Sequence, residues 1–375
     1  MTDENPSGQQ EPQNPGLKTL VPEPTAEAMP ADPVPARSVP APVGKPAPAF
    51  SLGERLSRQE RHPVLLFGTL ASGKSSILMS LIANLRESRE VSVSLGEPIY
   101  PSDHSRHKET DDFSHDLFER KNDSFVRGRE MLGTTEVRYP LFIPIDIQPS
   151  RDIETGPVKF AFLEGRGDWY LPTAGSEGRL FQDFKDEVVD VLKFYDGGLT
   201  AIFVAPYTNP DNAQSLRDND LGLMGALEAY YTHRKRKEQD GLLYLLTKWD
   251  TYADPVENPK FGEMEASDVV EVMNRLYAIS WPRFQQMPRS LRNDRRFFMQ
   301  YCAGYLVDEM HRPPPPDRKS VFQRYPRTLL NWLYGNATRE VKADGVVEER
   351  VLFADVVDRG RVRFWKRVTD FVLVR

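Results

Sequence analysis

The stretch HPVLLFGTLASGKSSILMSLI, residues 62–82, decides the fold. Residues 63–67 form a short continuous apolar run, which is typical of a strand buried on both faces. Residues 75–85 carry apolar side chains at helical spacing. The loop between these segments, Gly68 to Ser75, fits the pattern GxxxxGK[ST]. A buried strand, a glycine-bearing loop and a helix in this order predict a phosphate-binding loop.

The residues of this loop explain why it would bind phosphate. Its glycines allow backbone amides to turn toward an anion, and the following helix presents its positive N-terminal end to the same point. We expect Lys74 to bridge the β- and γ-phosphates of a nucleotide and the Ser75 hydroxyl to bind Mg²⁺. The predicted nucleotide-binding residues of the loop are Gly68, Ala71, Ser72, Gly73, Lys74, Ser75 and Ser76.

Outward from the loop, apolar runs of strand length alternate with amphipathic segments. The hydrophobic pattern predicts strands over 137–147, 158–163, 199–206, 241–247 and 296–302, and helices over 180–194, 221–237, 266–284 and 321–333. The strands over 137–147 and 158–163 are separated by a turn and are typical of a hairpin. The alternation predicts an α/β fold with a mainly parallel sheet covered by helices on both faces.

Composition divides the chain of 375 residues into three parts. Twelve of its 31 prolines lie in the first 50 residues, where large apolar side chains are scarce, so residues 1–55 are predicted to be a disordered tail. Residues 56–335 are predicted to form one phosphate-loop domain, and 336–375 a C-terminal extension. Within the domain, the polar segment 96–133 is predicted to be a mobile insert or a lid.

Charge, cysteine content and hydropathy narrow the class of protein. The net charge of −6 argues against a nucleic-acid-binding protein. Cys302 is the single cysteine, which suits a reducing compartment. No apolar run is long enough to span a bilayer, and the N-terminus lacks the pattern of a secretory signal. We therefore expect a cytoplasmic protein.

A second motif, Thr247-Lys248-Trp249-Asp250, directly follows the apolar strand GLLYLL. Ligands bind at the carboxyl ends of strands in α/β sheets. A carboxylate there can accept hydrogen bonds from the ring N–H and the exocyclic amine of guanine, a donor pair that adenine lacks. We expect Asp250 to read the base while the stem of Lys248 packs over its ring.

Together, the loop and this second motif resemble the first and fourth conserved motifs of the Ras-like P-loop GTPases. The resemblance implies a third motif, Asp-x-x-Gly, and this chain has Glu164-Gly165-Arg166-Gly167 after a predicted strand. It implies that Glu164 holds Mg²⁺ through a water and that Gly167 senses the γ-phosphate. Asp168 takes the place of the glutamine that orients the attacking water. An acid there could act as a base or could slow hydrolysis.

The remaining two motifs of the family have looser counterparts. The second is a threonine that closes over Mg²⁺, and Thr134 or Thr135 stands at the expected place, with Thr135 favoured. The fifth, a small Ser-Ala-x segment touching guanine, corresponds to Cys302-Ala303-Gly304. The long switch insert and the acidic residue after the third strand are most similar to the bacterial double-GTPase group.

The resemblance implies a Mg²⁺-dependent switch that binds GTP and GDP, hydrolyses GTP slowly and engages a protein partner through its switch segments or residues 336–375. Two alternatives stay open. One is a scaffold that binds GTP without turnover, and the other is a P-loop kinase, which would prefer ATP and leave Thr247–Asp250 unexplained.

Four further features have both a functional and an ordinary interpretation. The pair His104-x-x-His107 could bind zinc or lie solvated, and the basic run 233–237 could meet an anionic surface or end a helix. Arg151 or Arg166 could act as an arginine finger or lie on the surface. The segment 346–375 could bind a partner or pack onto the domain.

Overall fold

The structure is a computed structural model that describes residues 50–96, 99, 119–127, 141–151, 156–164, 186–208, 211–248, 266–287, 296–303, 305–307, 310–312, 319–341, 347–348 and 350–353. Residues 1–49 of the predicted tail, most of the predicted insert 96–133, and residues 354–375 lie outside this set.

Helices and strands alternate along the described chain. The helices are α1 Leu52–Arg58, α2 Lys74–Glu87, α3 at 119–126, α4 Asp186–Phe194, α5 Ala213–His233, α6 Ala266–Leu276, α7 Ser280–Gln286 and α8 Lys319–Ala337. The strands are β1 His62–Phe67, β2 Val91–Leu95, β3 Leu141–Pro149, β4 Val158–Glu164, β5 Thr200–Pro206, β6 Gly241–Thr247, β7 Arg296–Gln300, β8 Tyr305–Val307, β9 Met310–Arg312, β10 Glu340–Val341 and β11 Val347–Glu348.

Seven of these strands form one sheet in the order β2-β3-β4-β1-β5-β6-β7. The four pairs from β4 through β1 and β5 to β7 are parallel, whereas β2–β3 and β3–β4 are antiparallel. Strands β5 and β6 are buried along their whole length, as their continuous apolar runs predicted. The predicted mainly parallel sheet and the predicted hairpin are both confirmed.

The sheet is covered on both faces. Phe297 and Phe298 are neighbours in β7, so their side chains point to opposite faces. The ring of Phe297 stacks on Trp332 of α8, and the ring of Phe298 contacts Trp281 of α7. Helix α2 packs with α8, while α5 packs with α7 and α4. The hydrophobic core therefore lies in two layers, one on each side of the sheet.

Three elements differ from the sequence prediction. Helix α1 begins at Leu52, inside the predicted tail 1–55, because Leu52 and Leu56 are buried and Ser51 with Glu54 forms a capping box. The predicted helix 266–284 is two helices, α6 and α7, since Pro282 has no N–H to continue the first and is tolerated in the first turn of the second. The edge strand β2, which alternates exposed and buried residues, was not predicted.

Helix α5 also extends beyond its prediction of 221–237. It begins at Ala213, where the Asn212 side chain caps it by accepting a hydrogen bond from Ser215 N at 3.1 Å, and it ends at His233. Its first turns are polar and carry no apolar period, so the pattern missed them. Across the described residues, no helix combines the length and apolar character that a membrane crossing requires.

Candidate nucleotide-binding site

Parallel pairing brings the carboxyl ends of β4, β1, β5, β6 and β7 to one edge of the sheet. The loop Gly68–Gly73 follows β1 at this edge and leads directly into α2. The first turn of α2 contains no acidic residue of its own, so the positive end of the helix dipole is not offset by a residue of the helix itself. This edge is therefore suited to an anionic ligand.

Two glycines shape the loop. A Cβ atom on Gly68 would lie 2.7 Å from Ser72 Oγ and 2.8 Å from Val204 O, closer than any side chain tolerates. Gly73 has φ +94°, a left-handed conformation that favours glycine, and it stands at the N-terminus of α2. The glycines at both ends of the motif are thus needed for the path of the backbone, and their role in binding a nucleotide stays a prediction.

Lys74, the predicted phosphate-bridging residue, folds back over the loop. Its Nζ donates hydrogen bonds to Gly68 O at 2.8 Å, Thr69 O at 2.7 Å and Ser72 Oγ at 3.2 Å. Only 8% of the residue is exposed. The ammonium is therefore held at the loop, where it can exchange backbone carbonyls for phosphate oxygens.

Ser75 and Glu164, both predicted as metal ligands, lie together at this edge. Ser75 Oγ donates a hydrogen bond to Glu164 Oε1 at 2.6 Å. Lys121 of α3 completes the group, because its Nζ donates to the same Oε1 at 2.7 Å and to Ser75 Oγ at 3.1 Å. The side chains of Lys121 and Glu164 are 2% and 5% exposed, so this ion pair is buried.

This group does not fit Mg²⁺ as it stands. Mg²⁺ binds oxygen at about 2.0–2.1 Å and demands near-octahedral geometry. Ser75 Oγ and Glu164 Oε1 are already hydrogen-bonded to the Lys121 ammonium, so Mg²⁺ would have to compete with a cation for both atoms. No group of three or more His, Cys, Asp or Glu side chains suited to a metal occurs among the described residues. Mg²⁺ at Ser75, Thr135 and Glu164 stays a prediction from the sequence.

Thr247 joins the second motif to the phosphate loop. Its Oγ1 donates a hydrogen bond to Ser72 O at 2.7 Å, and the residue is 3% exposed. Lys248 follows with φ +56°, which turns the chain sharply at the end of β6. Trp249 and Asp250 lie outside the described residues, so Asp250 as the base-reading residue stays a prediction.

The predicted fifth motif begins at the end of the neighbouring strand. Cys302 is 1% exposed and Ala303 is half-buried, two and three residues beyond β7. Tyr301, just before them, donates its backbone N–H to Leu246 O at 2.7 Å, which continues the pairing with β6. Ser76, also predicted at the site, is buried in the first turn of α2.

Several predicted site residues lie outside the described part of the chain. These are the switch threonines Thr134 and Thr135, the third-motif residues Gly165, Arg166 and Gly167, the acid Asp168, and Gly304. The histidine pair His104 and His107 lies outside it as well. Their predicted roles are neither supported nor opposed by the geometry.

Sequence reasoning missed two residues at this edge. Lys121 belongs to the polar segment 96–133 and to no motif, and no spacing signal links it to Ser75 or Glu164. Leu70 is 77% exposed in the phosphate loop. Leu70 occupies a variable position of GxxxxGK[ST], and the motif does not predict whether the side chain there is exposed.

The strand order agrees with the order of the motifs. The strand before the phosphate loop, β1, lies between β4, which carries Glu164, and β5, and β6 and β7 follow outward with the fourth and fifth motifs at their ends. The chain has an α/β fold with a mainly parallel sheet and a phosphate-loop motif between β1 and α2. The mainly parallel sheet and the phosphate-loop motif were both predicted from the sequence, whereas the order of the strands was not.

Comparisons with known proteins add little to this. No family model and no curated protein matches the chain. Among solved structures, the Ski7 GTPase-like domain of S. cerevisiae, bound to GDP and inorganic phosphate, is 14% identical over 72% of this chain and 50% of that chain, with a TM-score of 0.29. This chain therefore spans about half the length of that one.

A second solved structure is a complex of the signal recognition particle receptor, SRb-GTP/SRX, from Chaetomium thermophilum. It is 12% identical over 71% of this chain and 97% of that chain, again with a TM-score of 0.29. Because both TM-scores are below 0.5, neither structure bears on the function of this chain.

Proposed function

We propose that this chain is a guanine-nucleotide-binding protein that hydrolyses GTP to GDP slowly and acts as a nucleotide-dependent switch. The observation that carries the proposal is the phosphate loop itself. Lys74 is held over the loop by Gly68 O and Thr69 O, directly beside the N-terminus of α2. A lysine ammonium and a helix N-terminus converging on a glycine-bearing loop form a site for the phosphates of a nucleotide.

Guanine preference is supported by the end of β6. The hydrogen bond from Thr247 to Ser72 O couples the start of the second motif to the phosphate loop. The left-handed turn at Lys248 then directs the chain away from the strand. We infer that Asp250 accepts from the two guanine donors and that Cys302 and Ala303 border the base from the next strand.

Slow turnover is inferred from the residue that follows the third motif. Asp168 stands where Ras-like enzymes carry a water-orienting glutamine, and a second carboxylate near the γ-phosphate would oppose the attack. Because the Ser75–Glu164–Lys121 group does not fit Mg²⁺, the proposal includes no step through that ion. A GTP-dependent scaffold without turnover is the second candidate, and the ammonium at the metal position favours it.

The finer parts of the proposal concern organisation and partner. We infer one domain over 56–335 with a C-terminal extension over 336–375, acting in the cytoplasm with a protein partner. The motifs favour the bacterial double-GTPase group.

Isothermal titration of the full chain with GTP, GDP and ATP tests the proposal. We expect both guanine nucleotides to bind and ATP to bind at least tenfold more weakly. Lys74→Ala should lower the affinity for GDP about tenfold to a hundredfold, since a charge-assisted contact to phosphate is lost. Lys193→Ala, which changes an exposed lysine of α4, is the matched control. Preference for ATP, or no binding of any nucleotide, would overturn the proposal.

Two further measurements separate the alternatives. If phosphate release from GTP is lower in Lys74→Ala than in the unmodified chain, hydrolysis is supported. If GTP binds but both proteins release phosphate only at the background rate, the scaffold is supported.

Asp250→Asn should shift preference from guanine toward xanthine nucleotides, because the amide presents a donor where the carboxylate accepts. Indifference to this substitution would remove Asp250 from the site.

A further inference from the structure

We propose that Lys121 is the resident cation of the phosphate site, and that its ammonium takes the position that Mg²⁺ holds in other phosphate loops. The chain would then bind guanine nucleotide without a divalent metal ion. This inference rests on the proposed function, because the ammonium has a role only if a nucleotide binds.

The first support is the geometry of the ammonium. In phosphate loops the Ser or Thr after the motif lysine and an acid at the end of a nearby strand hold the metal ion. In this chain those two residues are Ser75 and Glu164, and Lys121 Nζ lies 3.1 Å from the Ser75 hydroxyl and 2.7 Å from the Glu164 carboxylate. A cation already bonds both of the side chains that would hold Mg²⁺.

Burial makes this contact specific. Lysine is almost never fully buried unless it is paired, and the side chain of Lys121 is only 2% exposed. Its neighbours hold α3 in place: Asn122 is buried, Phe125 packs against the core, and Glu119 pairs with Arg86 of α2 at 2.9 Å. The ammonium is therefore positioned by packing and does not depend on a chance surface contact.

The ammonium retains capacity for a ligand. A lysine ammonium has three protons to donate, and among the described residues Ser75 Oγ and Glu164 Oε1 account for two of them. Ser75 directly follows Lys74 in the first turn of α2, so the Lys121 ammonium lies at the helix end next to the phosphate loop. We infer that it is donated to a phosphate oxygen of the nucleotide.

Charge explains why the two cations exclude each other. A Mg²⁺ ion and an ammonium within about 3 Å repel strongly in a site of low dielectric. The ammonium supplies one positive charge where Mg²⁺ supplies two, and Glu164 offsets it. Less charge is then available to stabilise the phosphoryl group in transfer, which agrees with the slow hydrolysis proposed on other grounds.

Titration calorimetry with GDP tests the inference on the unmodified chain. We expect the affinity in EDTA to be within about threefold of the affinity in millimolar Mg²⁺. Binding that requires Mg²⁺ would overturn the inference and leave the proposed function intact. Absence of GDP binding in both buffers would instead overturn the proposed function, so the two failures are distinguishable.

A variant series assigns the effect to Lys121. Lys121→Met keeps the length of the side chain and removes its charge, and should lower GDP affinity in EDTA about tenfold to a hundredfold. Lys121→Arg keeps the charge and should retain most of the affinity, and Lys193→Met is the matched control. Thermal unfolding of each variant verifies folding. Unchanged affinity of folded Lys121→Met in EDTA would overturn the assignment.

A metal-binding readout is independent of affinity. Mn²⁺, which resembles Mg²⁺ and gives an electron paramagnetic resonance signal when free, can be titrated into the complex with GDP kept below the protein concentration. We expect the GDP complex of the unmodified chain to leave the free signal undiminished. Uptake of about one Mn²⁺ per bound GDP would show that the ion displaces Lys121, and would overturn the proposal.

Discussion

Two buried ion pairs lie at opposite ends of the same sheet, and they are built differently. Lys121 and Glu164 meet at the carboxyl end of β4, beside the phosphate loop, with side chains 2% and 5% exposed. Arg234 and Asp240 meet at the other end, just before β6 begins, and both side chains are fully buried. Both pairs have a contact of 2.7 Å, so distance and burial alone do not distinguish them.

The pair at the amino ends of the strands is saturated with hydrogen bonds. Arg234 contacts both oxygens of Asp240 and donates to the carbonyls of Leu192, Tyr195 and Gly197. Asp240 also accepts from Leu199 N at 2.9 Å and from the Tyr230 hydroxyl at 2.6 Å. The pair therefore ties α5, the segment before β5 and the start of β6 together.

The two pairs differ in how completely their hydrogen bonds are satisfied within the protein. A buried charge is tolerated only when its partners are nearly complete, and Arg234 meets that condition inside the protein. Among the described residues Lys121 has only two acceptors, both at an edge where a ligand binds in α/β sheets. In the proposal above, spare hydrogen-bonding capacity, and not burial, distinguishes the Lys121–Glu164 pair as the one that contacts a ligand.

Arg234→Met should have the largest effect on stability. It leaves Asp240 buried without its cation, and breaking such a pair costs about 3–5 kcal/mol of unfolding free energy. Urea unfolding measures this loss. Arg236→Met is the matched control, because Arg236 pairs with Asp196 at 3.2 Å on the surface and should change stability by less than about 1 kcal/mol. Equal losses in the two variants would contradict a structural role for the buried pair.

Glu164→Gln should lower stability, because Lys121 stays buried without its counter-charge, and it should also change the affinity for the ligand. The substitution removes the charge that offsets Lys121, so the affinity for GDP in EDTA should rise about tenfold. Calorimetry measures the affinity, and Glu119→Gln, at an exposed acid of α3 paired with Arg86, should leave it unchanged. A fall in affinity would show that Glu164 orients Lys121 more than it opposes the phosphate.

Two matched threonine substitutions, one at each end of the sheet, should have smaller effects on stability. Thr247→Val removes the hydrogen bond to Ser72 O, and Thr200→Val removes the contact of 2.8 Å with His62 Nε2. Each should lower stability by about 1 kcal/mol. Only Thr247→Val should also weaken GDP binding, severalfold, because it loosens the phosphate loop. Equal affinities in the two variants would contradict the proposed coupling.

Alkaline pH should lower the stability contributed by Tyr195, which lies beside the Arg234–Asp240 pair. Burial, opposed by Arg234 and reinforced by Asp240, raises the pKa of Tyr195 to about 12, whereas an unfolded tyrosine has a pKa near 10. The neutral phenol is favoured in the folded state, so its contribution to stability is complete below pH 10 and is lost as pH rises toward 12. Melting temperatures of Tyr195→Phe should fall less steeply between pH 10 and 11 than those of the unmodified chain. Parallel curves would contradict the assignment.

Local patterns predicted most of the fold. Continuous apolar runs located β1, β4, β5, β6 and β7. A strand buried on both faces is apolar along its whole length, so it can be recognised from its own residues. The capping pair Ser51 and Glu54 could have indicated helix α1 from the sequence. Because the helix directly follows a proline-rich segment, its first residues were predicted to be part of the disordered tail. Strand β2 has only five residues, in which exposed residues alternate with more buried ones, and this pattern was too short to predict a strand.

By itself, the sequence determined the phosphate loop, the mainly parallel character of the sheet and the motif at the end of β6, since each is indicated by local patterns along the chain. Only the tertiary structure decided which cation lies beside Ser75 and Glu164. Lys121 is 46 residues from Ser75 and 43 from Glu164 in the chain, so no periodicity connects them. Their contact depends on how α3 packs against α2 and β4, which is set by burial across the fold and by no local pattern.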